Sequence, residues 1–154
     1  MTKLIAIDPG EMTGYAMAEW DRDTNEYTVV KWDHAPWKQF LIRYAQNFEW
    51  DVVVYEAWRL RHEEAPKLVG SDMQSSQCLG GIRLQAWLHE AVLIEQSTQI
   101  KPFIDKRMGG TEYLPGRGGV EHHRDALRHL HYYLTIKKEG TWVNPRVTGS
   151  ESKR

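Results

Sequence analysis

Lys3-Leu4-Ile5-Ala6-Ile7-Asp8 is a short apolar run that closes on a carboxylate, and Pro9-Gly10 follows it at once. Such a run bounded by a Pro-Gly pair reads as a strand ending in a turn. Gly14 to Trp20 is a second strand candidate, so the two form a hairpin. The polar turn Asp21 to Asn25 then leads into Glu26 to Trp32 (EYTVVKW), whose β-branched and aromatic residues make a third antiparallel strand.

Downstream the period changes. From Pro36 to Trp50, Trp37, Phe40, Leu41, Tyr44, Ala45 and Phe48 recur at helical spacing, with Pro36 suited to a first turn. Asp51 to Glu56 (DVVVYE) is a continuous apolar strand suited to a central position, and it too ends in a carboxylate. Arg59 to Gly70 reads as a charged loop. Ser71 to Ala91 reads as a helix capped by Ser71 or Asp72, with Gly80-Gly81 as an interior weak point that allows close packing. Val92 to Gln96 is another strand, Ser97 to Gly119 an aperiodic and mostly exposed stretch, and Glu121 to Ile136 a helix with Ala126, Leu127, Leu130, Tyr133 and Leu134 on one stripe. The sum is an α/β fold, a mixed five-stranded sheet flanked by helices, over residues 1–140, with a polar C-terminal tail at 141–154.

Composition narrows the class without naming a partner. Hydrophobic residues make up 41% and charged ones 27% of the 154, as in an ordinary globular domain, and a net charge of −1 does not advertise nucleic acid. No apolar run is long enough to span a membrane, and the first residues have no signal-peptide pattern, so a cytoplasmic protein is expected. Cys78 stands alone, which excludes an internal disulfide and a cysteine-based zinc site and reads as a small buried apolar residue.

Two strands ending in acids, Asp8 and Glu56, need an explanation, because buried carboxylates are costly without partners. A hard divalent cation, Mg²⁺ or Mn²⁺, supplies one, since it prefers oxygen ligands. His122 and Asp125, three residues apart in EHHRDAL, share one face of the last helix and complete a candidate cluster of Asp8, Glu56, His122 and Asp125. Taken singly, Asp8 is equally a turn former, Asp125 a helix-start acid and His122 a solvated side chain. Their joint order carries the reading.

In that order, IAIDPGEMTGYAM, VVVYEAW and HHRDAL resemble the three active-site motifs of the RuvC family of Holliday-junction resolvases, which have the ribonuclease H-like fold. The likeness runs to about Tyr133, and Lys67 to Ala86 looks like the family's long helix. It implies that Asp8, Glu56 and Asp125 are metal-binding catalytic carboxylates and that His122 takes the place of a fourth catalytic residue. It also implies two Mg²⁺ ions per site, with Mn²⁺ able to substitute, and phosphodiester hydrolysis leaving 5′-phosphate and 3′-hydroxyl ends. Branched DNA, four-way junctions above all, is the implied substrate, and a homodimer the implied assembly, to which Leu84, Trp87 and Leu88 contribute either an interface or core. The turn from Gly10 to Thr13 is a residue shorter than in bacterial resolvases, and the basic, glycine-rich segment before the last helix is not a close match. A compact, divergent chain of this kind resembles phage-encoded members, whose setting is the host cytoplasm.

Arg59, Arg61 and Lys67 after the Glu56 strand, and Lys101, Lys106, Arg107, Arg117 and Arg124 later, are candidate phosphate contacts, with an ordinary solvated surface as the alternative. Trp58 is the candidate aromatic wedge for unpaired bases, although Arg59 occupies the family's own position; a core tryptophan is the competing role. Rival functions are a ribonuclease H-like nuclease for flaps, forks or RNA–DNA hybrids and a non-catalytic DNA-structure binding protein. An actin-like ATPase needs roughly twice this length.

Overall fold

The computed structural model describes residues 1–58, 63, 65–69, 73–116 and 122–144. β1 (Thr2–Asp8) runs antiparallel to β2 (Met12–Asp21) on one side and parallel to β4 (Val52–Glu56) on the other. β3 (Glu26–Pro36) extends the meander beyond β2, and β5 (Val92–Gln96) lies parallel beyond β4. Among the described residues the sheet has six strands in the order β5-β4-β1-β2-β3-β6. The expected mixed α/β sheet is present with one strand more than the five read from the sequence. The addition, β6 (Thr141–Trp142), lies in the stretch read as polar tail: Thr141 N donates to Asn25 O at 2.8 Å and Trp142 packs against the core.

Successive strand side chains point to opposite faces, so an element buried on both sides shows an unbroken apolar run. In β1, Leu4 and Ala6 join one core and Ile5 and Ile7 the other; in β4, Val52 and Val54 oppose Val53 and Tyr55 in the same way. The first core is closed by α4 (His122–His131) through Leu127 and Leu130, and by a π-helical continuation, Tyr132–Lys137, through Leu134. The second is closed by α1 (Trp37–Gln46) through Phe40 and Tyr44, and by α2 (Gln74–Leu88) through Ile82 and Ala86.

Several boundaries differ from the sequence reading. β3 does not stop at Trp32: it stays paired with β2 through polar Asp33 and His34 to Pro36. α1 ends at Gln46 rather than Trp50, because Asn47 brings both its backbone N and its Nδ2 to the Arg43 carbonyl. α2 is shorter than Ser71 to Ala91, and the proposed caps Ser71 and Asp72 lie outside the described residues. The paired glycines divide: a Cβ on Gly81 would come within 2.8 Å of Leu41 on α1, whereas Gly80 has open space. Ser97 to Gly119 is not an exposed loop throughout. It contains α3 (Ile100–Arg107), with Ile100 and Ile104 buried one turn apart and Phe103 exposed, and buried Leu114; so short a helix shows little period. No helix of the described residues is long and apolar enough to cross a membrane.

Candidate active site

The parallel pairing of β1 with β4, register Ile7 opposite Tyr55, ends both strands at one edge and delivers Asp8 and Glu56 side by side. The hairpin after β1 is held by the Thr13 hydroxyl, which donates to the Gly10 carbonyl at 3.0 Å, and by Trp37 N, which donates to Glu11 O. Gly14 then lets α4 approach: a Cβ there would overlap the His122 carbonyl group. This contact brings the start of α4 against the strand ends. His122 Nδ1 lies 3.5 Å from Asp8 Oδ2, and one carboxylate oxygen each of Asp8, Glu56 and Asp125 lie within 4.8 Å of one another. The four residues singled out in the sequence are thus neighbours.

The electrostatics are uneven. Burial, followed by the charges of Glu56 and Asp125, pushes the Asp8 carboxyl up to about 8, against a smaller opposing effect of Lys101. Burial would also raise Glu56, but a hydrogen bond and charge from His129, with help from Lys101, outweigh it and hold Glu56 below the usual carboxylate range. Asp125 is likewise buried in part, yet Lys101 and Arg128 hold it low. The donor set suits a hard cation: three carboxyls converge, one retains its proton through burial and its two charged neighbours, and an ammonium is already drawn between the others.

The Asp8 shift has a consequence for stability. Between its ordinary value near 3.8 and about 8, the folded chain holds a proton that the unfolded chain has released, so this group's contribution is full at low pH and is lost as pH rises through about 8. Asp8→Asn mimics the protonated acid. In metal-free buffer its melting temperature is expected to gain on that of the wild type from pH 6 to pH 9, by several degrees. Parallel melting curves for the two proteins across that range would contradict it.

The remaining candidates disperse. Lys101, read as a candidate phosphate contact, projects from α3 into the cluster, its Nζ 3.1 Å from Glu56 and 3.0 Å from Asp125. Arg124 is 9% exposed, which is not the setting of a solvent-facing phosphate contact; it lies on the buried side of α4. Lys67, Lys106 and Arg107 are exposed. Arg59, Arg61 and Arg117 lie outside the described residues. Trp58 is half-buried against the α1/α2 core. Leu84, Trp87 and Leu88, left between core and interface, are exposed by half or more.

Three participants were missed in the sequence. His129 donates from Nε2 to Glu56 Oε2 at 2.8 Å, with Nδ1 2.8 Å from Gln96 Oε1, and Arg128 bridges Asp125 and Asp105. Signals existed: His129 falls one turn beyond Asp125 on the same stripe, and Gln96 is a third polar residue closing an apolar strand.

Sheet order, flanking helices and a carboxylate cluster at the strand ends define a ribonuclease H-like α/β domain. Solved structures of Holliday-junction resolvases share this fold. Thermus thermophilus RuvC, in complex with Holliday junction substrate, superposes with a TM-score of 0.55 at 14% identity, over 90% of this chain and 96% of that one. The fowlpox virus resolvase bound to substrate Holliday junction DNA gives 0.61 at 14% identity, over 88% and 99%. The yeast mitochondrial Holliday junction resolvase gives 0.57 at 11% identity, over 90% and 80%. No protein-family model matches the sequence, and no curated protein matches it. The resemblance read from the three motifs is therefore matched by the fold.

Proposed function

We propose that the chain is a divalent-metal-dependent endonuclease that resolves four-way DNA junctions. The observation that carries this reading is the convergence of Asp8, Glu56 and Asp125 at the strand ends of a fold whose solved relatives include resolvases bound to Holliday junction DNA. Asp8, Glu56 and Asp125 would together hold the two metal ions. Bound there, Mg²⁺ supplies Lewis-acid stabilisation of an in-line displacement at phosphorus. His122 lies beside Asp8, where its Nδ1 is placed to hold or hand on a proton. Lys101 keeps the acids neutralised in the absence of metal and has a flexible stem on which to withdraw.

The reading extends to a nuclease domain that takes in β6 beyond the expected boundary at residue 140, and to a homodimer, because a symmetric four-way junction calls for two nicks. The exposed Leu84, Trp87 and Leu88 on α2 are the apolar surface offered for that contact. Exposed Lys67, Lys106 and Arg107 are the proposed phosphate contacts among the described residues.

The decisive experiment incubates the protein with four-way, flap, fork, RNA–DNA hybrid and linear duplex substrates in Mg²⁺, Mn²⁺ or chelator. Symmetric paired nicks confined to the four-way junction and abolished by chelator are expected. Equal cutting of flaps or hybrids would replace junction resolution with a broader nuclease, and binding without cutting would leave a DNA-structure binding protein. Trp58→Ala is expected to lower junction cleavage about tenfold while sparing single strands, from loss of one stacked base. Equal losses on both substrates would assign Trp58 to the core alone.

A further inference from the structure

Glu56 presents its two carboxylate oxygens very differently. Oε2 accepts from His129 Nε2 at 2.8 Å and lies 3.1 Å from Lys101 Nζ. Among the described residues Oε1 takes no hydrogen bond. The two Oε2 partners also differ in kind. Lys101 reaches in from α3 on a long stem that remains partly exposed. His129 is fully buried and is gripped on its far side by Gln96, itself buried. Gln96 stands directly opposite Glu56 in the β4–β5 pairing, and its carbonyl accepts from Ala57 N at 2.7 Å, so the support is tied to the strand that carries the acid. Lys101 has a flexible stem on which to withdraw, whereas His129 is held within the core.

We propose that His129 is a positioning residue that makes Glu56 a one-oxygen ligand and thereby tunes the acidic site toward small octahedral cations over Ca²⁺. The inference rests on the metal-binding reading of the acidic cluster and deepens it. Mg²⁺ demands six ligands in near-ideal octahedral geometry at about 2.0–2.1 Å, while Ca²⁺ takes six to eight at about 2.3–2.6 Å and readily uses both oxygens of one carboxylate. With one lone pair of Oε2 held by a buried imidazole, Glu56 is oriented to give a cation one oxygen, and the two-oxygen grip that the larger ion favours is opposed. Groups behind a ligand that fix its orientation are worth about 10–100-fold in metal affinity or activity.

The test is calorimetric titration of the metal-free full-length chain with Mn²⁺ and with Ca²⁺, without DNA. His129→Gln places an amide N–H near the Nε2 position and keeps the bond to Glu56. His129→Asn occupies the Nδ1 position and keeps the bond to Gln96 but does not reach Glu56. The Gln variant is expected to retain the wild-type preference for Mn²⁺ over Ca²⁺, while the Asn variant binds Mn²⁺ about tenfold more weakly and discriminates less. Gln96→Met, which unfastens the ring without touching Glu56, is expected to shift the preference in the same direction by a smaller factor. A merely structural histidine would lower metal-free melting in both His129 variants and leave the ion preference of each unchanged. An unchanged preference in the Asn and Gln96 variants, or equal changes in Asn and Gln, overturns the proposal. Failure of the wild type to bind Mn²⁺, or undiminished binding by Asp8→Asn, instead overturns the metal site itself.

Discussion

Asp8→Asn is expected to reduce Mg²⁺-dependent cleavage of a four-way junction by about 10³-fold or more, while the fold and junction binding persist. Asp8 has a carboxylate oxygen within 4.8 Å of one each from Glu56 and Asp125 and has His122 Nδ1 3.5 Å away, so in the proposed function it is one of the ligands of the cation. An amide in its place keeps the shape and removes the negative charge that holds the ion. Losing several kcal/mol of stabilisation for the charge that develops in the transition state corresponds to a factor of ten for roughly every 1.4 kcal/mol. Folding is spared because the acid already carries a proton near neutral pH in the absence of metal, as the amide imitates. Junction cleavage and gel-shift affinity measured on the same preparation check both halves. Wild-type cleavage by the variant would remove Asp8 from the chemistry and the resolvase reading with it.

The second large effect is expected at a residue with no side chain. Gly14→Ala directs a methyl group into the His122 carbonyl on α4. Backbone cannot rotate away as a side-chain tip does, so relief requires the helix to move off the sheet. Overpacking of this kind costs about 1–3 kcal/mol, read by chemical denaturation. The loss of cleavage is expected to exceed what that destabilisation explains, because the same movement carries His122 and Asp125 away from Asp8, and misplacement by about 1 Å costs on the order of 100-fold. A variant that keeps wild-type stability and turnover would show that α4 is not held at this distance for function.

Much of this protein is written locally. The apolar runs of β1 and β4, buried on both faces, announce their strands and place Asp8 and Glu56 at the strand ends, and the stripe from Ala126 to Leu134 announces the helix that covers one face. The roles of Thr13 and Gly14 were not read from the sequence: one ties the hairpin to Gly10, the other admits α4. Where the pattern was weak the reading failed. α3 shows only Ile100 and Ile104 to the core within eight residues, and β6 is two residues long, held by Asn25 and by pairing with β3.

The sequence by itself determined which acids end the apolar strands, that His122 and Asp125 share a helical face, and that an α/β sheet carries them, because strand and helix periods are properties of neighbouring residues. The tertiary structure alone decided what surrounds each acid. His129 meets Glu56 across 73 positions of chain and Gln96 across 33, and Lys101 meets Asp125 across 24. Contacts at such separations follow from how the sheet and helices pack, and with them came the raised Asp8 carboxyl, the lysine among the acids and the buried imidazole on Glu56.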